Sequence, residues 1–251
     1  MFDLTGKVAL ITGSTRGIGK SIAEEMARAG AKVVISSRKK DVCDAVAKEI
    51  NDEGHDAIAV ACNISYKQEL QKLVDITMEK WGRIDSLVCN AAINPVYGPM
   101  SQVSDEAFDK VMGTNLRSNF WLINMVAPQM AARKDGSIII VSSIAALHGN
   151  AVIGVYGISK AADAGLARNL AVEWGPQNIR VNCIAPGLIK TDFARALWED
   201  EKMRKATEMK TPLRRIGDPK DIGGIAVFLA SEAGAYITGQ MIVADGGVTI
   251  A

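Results

Sequence analysis

The amino-acid sequence predicts an α/β fold: a single doubly wound domain over residues 1–251, with a seven-stranded parallel sheet covered by helices on both faces. Two observations predict it. Short, nearly continuous runs of β-branched and apolar residues recur along the chain, the mark of strands buried on both sides in a parallel sheet. Between them lie longer amphipathic stretches, and strand–helix alternation repeated this often winds into right-handed crossovers. No Pro/Ser-rich linker, low-complexity tract or internal repeat divides the 251 residues.

Taken in order, Lys7–Ile11 reads as the first strand and runs into a glycine-rich turn; a helix follows over Gly19–Ala29. Lys32–Ser36 is the second strand and Lys40–Glu53 the next helix. Ala57–Ala61, the helix Lys67–Trp81 and the strand Ser86–Cys89 continue the alternation. Ser104–Met130 and Val155–Trp174 read as long helices on either side of the strand Ser137–Val141. Both are apolar on more than one side, as at Leu166, Leu170 and Val172, so each has a second surface to bury. Arg180–Ile184 and Met241–Val243 complete the sheet. Residues 188–215 break the rhythm with many charges interleaved with Phe193, Leu197, Trp198, Met203 and Met209. An insertion after a late strand is expected to act as a substrate loop.

Composition removes several function classes. Hydrophobic residues make up 48% of the chain, charged residues 23%, and the net charge is +1, so disorder is excluded. No cationic excess is present to neutralise phosphates, which argues against nucleic acid as a partner. Cys43, Cys62, Cys89 and Cys183 are widely spaced, as are His55 and His148, so no metal site and no disulfide framework is expected. The N-terminus carries Asp3 where a signal peptide needs a cation, and the apolar run Val8–Ile11 is too short for an h-region. No apolar stretch is long enough to span a bilayer. The expected location is cytoplasmic, without membrane association.

The turn after the first strand reads Thr12-Gly13-Ser14-Thr15-Arg16-Gly17-Ile18-Gly19. Its glycines let the backbone approach a pyrophosphate, and the helix behind it offers free N–H groups and the positive end of its dipole. The spacing is G-x-x-x-G-x-G, and a glycine-rich turn without a ligand is the bland alternative. Its place after strand one of a doubly wound sheet favours a nucleotide. Together with Tyr156-Gly157-Ile158-Ser159-Lys160, this turn resembles the short-chain dehydrogenase/reductase family over essentially the whole chain. Further matches are Asn90-Ala91, Asn115, Ser142-Ser143 and Pro186-Gly187; Ala92 and Asn63 depart from the family pattern. Asn94-Pro95, Asn182 to Thr191 and Leu197-Trp198 are similar to its NADP-dependent carbonyl and retinal reductase branch. The resemblance implies a Rossmann fold, a homotetramer paired through the long helices and the C-terminal strand, and dinucleotide contacts from Asn63, Ile64, Asn90, Ala91, Tyr156, Lys160, Pro186, Gly187, Ile189 and Thr191, besides residues 13–19.

Tyr156 and Lys160 stand four apart on one helix face. A fixed ammonium favours the phenolate and is expected to lower the tyrosine's proton affinity. Read alone, such a pair is common on ordinary helix surfaces. Ser143, at the carboxyl end of a strand, adds a hydroxyl able to donate to a carbonyl oxygen as it gains charge; a helix-capping role is its alternative, and Ser142 is its rival. The family spacing selects Ser143. The resemblance further implies that Asn115 holds a water beside Lys160, completing an Asn115-Ser143-Tyr156-Lys160 tetrad, and that Lys160 binds the nicotinamide ribose. A hydrolase built on Ser143 and His148 is disfavoured, since no G-x-S-x-G surrounds the serine.

The second strand ends Ile35-Ser36-Ser37-Arg38-Lys39. Where an NAD enzyme of this architecture places an acid, Ser37 stands, with Arg38 beside it and Arg16 in the glycine loop. This points to NADP(H), although a solvated basic turn is the alternative. The expected function is NADPH-dependent reduction of an uncharged, largely hydrophobic ketone or aldehyde, reversible as alcohol oxidation. Pocket walls are expected from Ile93, Asn94, Pro95, Val96 and Tyr97, from Ala145, Leu147 and His148, and from Leu188, Phe193, Leu197 and Trp198, with Lys190 and Arg195 turned to solvent or cofactor phosphate. Two alternatives stay open. A 3-oxoacyl-thioester reductase would dock an acidic carrier protein through Arg117, Arg133, Lys134 and Arg168. An NADPH-sensing regulator would not need Tyr156.

Overall fold

The computed structural model describes residues 1–251. Each apolar run becomes a strand: β1 Val8–Thr12, β2 Lys32–Ser36, β3 Ala57–Ala59, β4 Ser86–Cys89, β5 Gly136–Val141, β6 Ile179–Pro186 and β7 Met241–Ala244. Their order is β3-β2-β1-β4-β5-β6-β7, and every pairing is parallel. The chain begins in mid-sheet, works outward to β3, then returns to lay β4 beside β1. The winding reverses between those two strands, which opens a crevice beyond their carboxyl ends.

The helices are α1 Gly17–Arg28, α2 Lys40–Asp52, α3 Lys67–Trp81, α4 Asp105–Met112, α5 Ser118–Arg133, α6 Gly154–Trp174, α7 Arg195–Trp198, α8 Glu201–Lys210 and α9 Pro219–Ala230. Successive strand residues face opposite ways, so the neighbours Leu10 and Ile11 enter different cores. Ile11, Val33 and Ile35 pack with Ile22, Met26 and Ile222 of α1 and α9. Leu10, Val34 and Leu87 pack with Leu70, Leu122 and Leu170 of α3, α5 and α6. Each such aliphatic side chain contributes about 1.5–3 kcal/mol of burial. The continuous runs in the sequence are therefore two interleaved core faces, as a doubly covered sheet requires.

One expectation about the elements is corrected. The long helix expected over Ser104–Met130 is interrupted by a π-helical turn at Gly113–Arg117, closed by the Ser118 N–H donating to the Gly113 carbonyl. The wider turn rolls Thr114 and Asn115 into the interior. Within residues 188–215, expected as a substrate loop, α7 and α8 occupy half of the segment, and a bridge between Ile189 and Gly217 ties its ends together. All four cysteines are buried and free. No helix is long and apolar enough to cross a membrane.

Candidate active site

The carboxyl ends of β1, β2, β4, β5 and β6 open into one cleft of about 1170 Å³. At its first wall, β1 turns through residues 13–16 into α1. Gly17 has φ +55, and a side chain there would press on the Thr191 methyl at 3.0 Å; a Cβ at Gly19 would stand 2.3 Å from the Gly13 carbonyl. Only glycine lets these strands of chain approach so closely. The position before α1 is Arg16, which makes no capping hydrogen bond, and the first turn holds no acid. The helix therefore faces the cleft with unsatisfied N–H groups, a seat for an anion such as a pyrophosphate.

Asn90 holds this loop in place. Its Nδ2 donates to the Thr12 and Gly13 carbonyls at 2.9 and 3.1 Å, while its own N–H and that of Ala91 donate to Thr12 Oγ1. Ser14 does not face the cleft. Its Oγ donates to the Ile11 carbonyl and accepts from the Ser36 N–H, both at 2.8 Å, and its N–H donates to the Ser36 carbonyl. The expectation that Ser14 contacts a cofactor is corrected: it staples the loop to β2.

Beyond β2, Ser37 reaches the Cys43 thiol at 3.3 Å. Arg38 and Lys39 are exposed at the cleft and have no ion-pair partner. Arg16 lies 3.6 Å from Asp192, across the cleft on the segment before α7. Asn63 and Ile64 line the same end, joined by Val42, Cys62, Ser65 and Tyr66, which the sequence reading missed. These four lie on the edge of the β2–β3 side, where no motif spacing marks them.

At the other end, Ser143, Tyr156 and Lys160 share one wall. Ser143 is half-buried, and its Oγ accepts from the Ala145 N–H at 3.1 Å. It therefore caps a short turn while facing the cleft. Ser142 is buried with its hydroxyl donated to the Lys160 carbonyl, which removes it as a rival. Lys160 Nζ donates to the Val141 carbonyl at 2.8 Å and to Asp163 Oδ2 at 3.1 Å, and lies 5.8 Å from the centre of the Tyr156 ring.

The electrostatics differ from expectation. Burial pushes the Tyr156 phenol above its ordinary value, outweighing the pull of the Lys160 ammonium and the Ser143 hydroxyl, while Asp163 adds to the rise. Burial is the largest influence on the Lys160 ammonium and works against it, but Asp163, with Tyr156 and Cys183 adding to it, outweighs burial and holds the lysine above its usual value. The Tyr156–Lys160 motif contains the cation of this pair and leaves out its counter-charge.

Asn115 lies outside the cleft, fully buried. Its Oδ1 accepts from the Ile93 N–H and its Nδ2 donates to the Ile93 carbonyl and to Ser159 Oγ, all at 2.9–3.0 Å. The side chain clamps the segment after β4 to α6 and makes no hydrogen bond to Lys160.

Pro186, Gly187, Leu188, Ile189 and Thr191 line the cleft after β6, with Phe193 and Leu197 above them. The Phe193 ring lies 6.1 Å from that of Tyr156. Ile93, Asn94, Tyr97, Ala145 and His148 are also in the wall; Pro95, Val96 and Leu147 are not. Trp198 is a second correction: its Nε1 donates to the Thr191 carbonyl at 2.8 Å, and Lys190 Nζ stands 5.3 Å over its ring. It anchors the segment instead of lining the pocket. Arg195 pairs with Asp192 and Glu199.

A family model described as enoyl-(acyl carrier protein) reductase matches residues 13–249. The chain is 43% identical over 244 residues to dehydrogenase/reductase SDR family member 4 of Oryctolagus cuniculus, covering 97% of this chain and 94% of that protein. The Homo sapiens protein of the same name is 42% identical, with 97% and 88% covered. Among solved structures, 7α-hydroxysteroid dehydrogenase complexed with NADH and 7-oxo glycochenodeoxycholic acid superposes with a TM-score of 0.94 at 39% identity, covering 98% of this chain and 95% of that one. A gluconate 5-dehydrogenase from Burkholderia cenocepacia in complex with NADP and tartrate gives 0.95 at 33%, covering 100% and 98%.

Proposed function

The chain belongs to the short-chain dehydrogenase/reductase family, and we propose that within it this protein is an NADPH-dependent reductase of uncharged, largely hydrophobic ketones and aldehydes. It is an oxidoreductase of the CH–OH/C=O type that binds a nicotinamide dinucleotide. One observation carries the finer reading: a single continuous cleft runs from the unpaired Arg38 to Tyr156 and Ser143. Its first end suits an adenosine 2′-phosphate, because a free guanidinium forks onto phosphate oxygens and no acid at position 37 opposes it. Its last end is walled by Ile93, Tyr97, Ile153, Phe193 and Leu197, and Lys160, the cation on the same wall as the serine, is already held by the Val141 carbonyl and Asp163.

In this reading the bound dinucleotide supplies hydride. Ser143 and Tyr156 hold the carbonyl oxygen by hydrogen bonds that strengthen as charge develops there. Tyr156 gives that oxygen its proton. Because burial keeps the phenol protonated through neutral pH, the side chain is ready as an acid, which suits reduction. Lys160 contributes a fixed charge beside the phenol and a donor toward the cofactor ribose. Asn115 contributes by holding the Ile93 segment against α6. Glycines 13, 17 and 19, with Thr15, Arg16 and Ile18, cradle the pyrophosphate. Residues 1–251 act as one catalytic domain, with 188–215 closing over the substrate.

The protein is proposed to assemble as a homotetramer in the cytoplasm. An apolar groove formed by Met112, Leu116, Phe120, Trp121, Ala162 and Leu166 on α4–α6 supports pairing along these helices. The test of function is kcat/KM with NADPH and NADH across aryl ketones, α-diketones, extended aldehydes, charged 2-oxo acids and acetoacetyl thioesters. Hydrophobic diketones are expected to lead. A clear preference for charged acids refutes the pocket reading, and preference for the thioester gives the carrier-protein alternative. Arg133 is a poor docking group for the latter, since its guanidinium is turned inward onto the Ile84 carbonyl.

A further inference from the structure

Helix α6 turns three ionisable side chains the same way, since Tyr156, Lys160 and Asp163 stand at i, i+4 and i+7. The first two enter the proposed reaction, and Asp163 does not. Its side chain is 0% exposed. Burying a carboxylate is costly unless it is paired and hydrogen-bonded; burial pushes this carboxyl above the usual carboxylate range, and Lys160 and Asn119 pull it back through both oxygens. Oδ2 accepts from Lys160 Nζ at 3.1 Å, and Oδ1 accepts from Asn119 Nδ2 at 3.2 Å. Asn119 Nδ2 also donates to the Asn115 carbonyl at 2.7 Å, within the π-helical turn. A continuous polar chain thus runs from that turn through Asn119 and Asp163 to the ammonium. The ammonium is 3.1 Å from the carboxylate and 5.8 Å from the centre of the phenol ring.

No other charge competes for this carboxylate. β4 presents the Cys89 thiol and β6 the Cys183 thiol, both raised by burial, Cys183 to about 12, and so neutral at physiological pH. Helix α5 presents only the Asn119 amide. Arg168, further along α6, acts on Cys183. The phenol in turn faces Lys160 and Ser143, with Asp163 and Tyr97 as the acidic groups around it.

We propose that Asp163 is a positioning residue for Lys160: from one turn further along α6 its buried carboxylate, braced by Asn119, fixes the ammonium and sets how much of its charge reaches the Tyr156 phenol. This deepens the reading of Tyr156 as proton donor and rests on it for its catalytic consequence. With a counter-charge behind it, the ammonium favours the phenolate less, and the phenol keeps its proton to higher pH.

The test is an ultraviolet difference titration of tyrosinate in the full, ligand-free chain. There are four tyrosines, so each curve is taken against the same protein carrying Tyr156→Phe. Asp163→Asn keeps the size and removes the charge, and the Tyr156 midpoint is expected to fall by on the order of one pH unit. Asp163→Glu keeps the charge and should leave the midpoint near wild type. Asn119→Ala withdraws a donor from the anion and should give a smaller fall; it carries the test if Asp163→Asn does not fold. An unmoved or higher midpoint in the neutralised variant overturns the proposal, whatever its effect on melting temperature. In alcohol oxidation, where the phenolate is the working form, the acid limb of kcat/KM should move down with the titration. If the titration shifts and the limb does not, the role of Asp163 stands and that of Tyr156 in the reaction fails.

Discussion

Replacing Ser37 by Asp and Arg38 by Leu should move cofactor preference from NADPH toward NADH. Arg38 has no ion-pair partner, so its removal breaks no ion pair. An acid at position 37 would lie just before the first turn of α2, which begins at Lys40, where the helix dipole favours a negative charge. The buried thiol of Cys43, 3.3 Å from Ser37 Oγ, is a neighbour that can donate to it. A charge-assisted hydrogen bond contributes about 1.5–3 kcal/mol, and each 1.4 kcal/mol is roughly a factor of ten. Losing the phosphate contact alone predicts a fall of about ten- to a hundredfold in relative NADPH preference, nearer the lower figure because Arg38 is exposed and screened by salt. The new carboxylate adds to this by repelling the phosphate and accepting from a free ribose hydroxyl. The assay is the ratio of kcat/KM for the two cofactors, with dissociation constants at low and high salt. Wild-type NADPH affinity should weaken with salt, and that dependence should shrink in the double variant. An unchanged ratio and an unchanged salt dependence would refute the assignment and transfer phosphate recognition to Lys39 or Arg16.

Tyr156→Phe should reduce turnover by roughly 10²–10⁴-fold, the usual contribution of a general acid, with dinucleotide affinity nearly unchanged; retention of more than about a tenth of the rate would defeat the role. Trp198→Ala removes the hydrogen bond to Thr191 and the contact with Lys190, so it should weaken cofactor and all substrates alike; a loss confined to bulky substrates would return Trp198 to the pocket wall. Ser14→Ala strands the buried Ser36 N–H and should lower stability by about 1–3 kcal/mol in urea unfolding, and a selective loss of cofactor affinity without destabilisation would contradict the staple. Leu166→Glu places a charge in the apolar groove of α4–α6 and should lower the sedimenting mass of the protein, whereas an unaltered mass would show that this face is not where subunits pair.

Strand positions were legible because burial on both faces leaves a local trace: Leu10 and Ile11 must both be apolar, whichever core each enters. The glycine turn was legible for the same reason, since close backbone approach at Gly17 and Gly19 admits one residue type. What eluded the sequence lies in contacts made across elements. Ser14 sits within the motif, yet only the register of β1 against β2 turns its hydroxyl onto Ser36. Trp198 belongs to a segment rich in apolar rings, but its indole N–H found a carbonyl seven residues earlier on a chain that doubles back. The π-helical turn at Gly113–Arg117 leaves no periodic signature over so few residues, and it is within this turn that Asn115 is buried.

The Tyr156–Lys160 pair shows how partial a motif can be as a description of electrostatics. Spacing placed the phenol and the ammonium on one face, and a cation beside a phenol lowers its proton affinity when nothing else acts. In the folded protein two other things act: the phenol is half-buried in the cleft wall, and a carboxylate on the same helix face engages the ammonium from the other side. Asp163 was visible in the sequence at three residues from Lys160, but a helix surface commonly carries such a pair in solvent, where its effect is small. Burial turns the same spacing into a strong coupling, because the low-polarity interior leaves each charge only its neighbours. The working pH of the site therefore depends on how completely α5 and the sheet cover α6 at Asn119, Cys89 and Cys183, a property of packing that no local motif encodes.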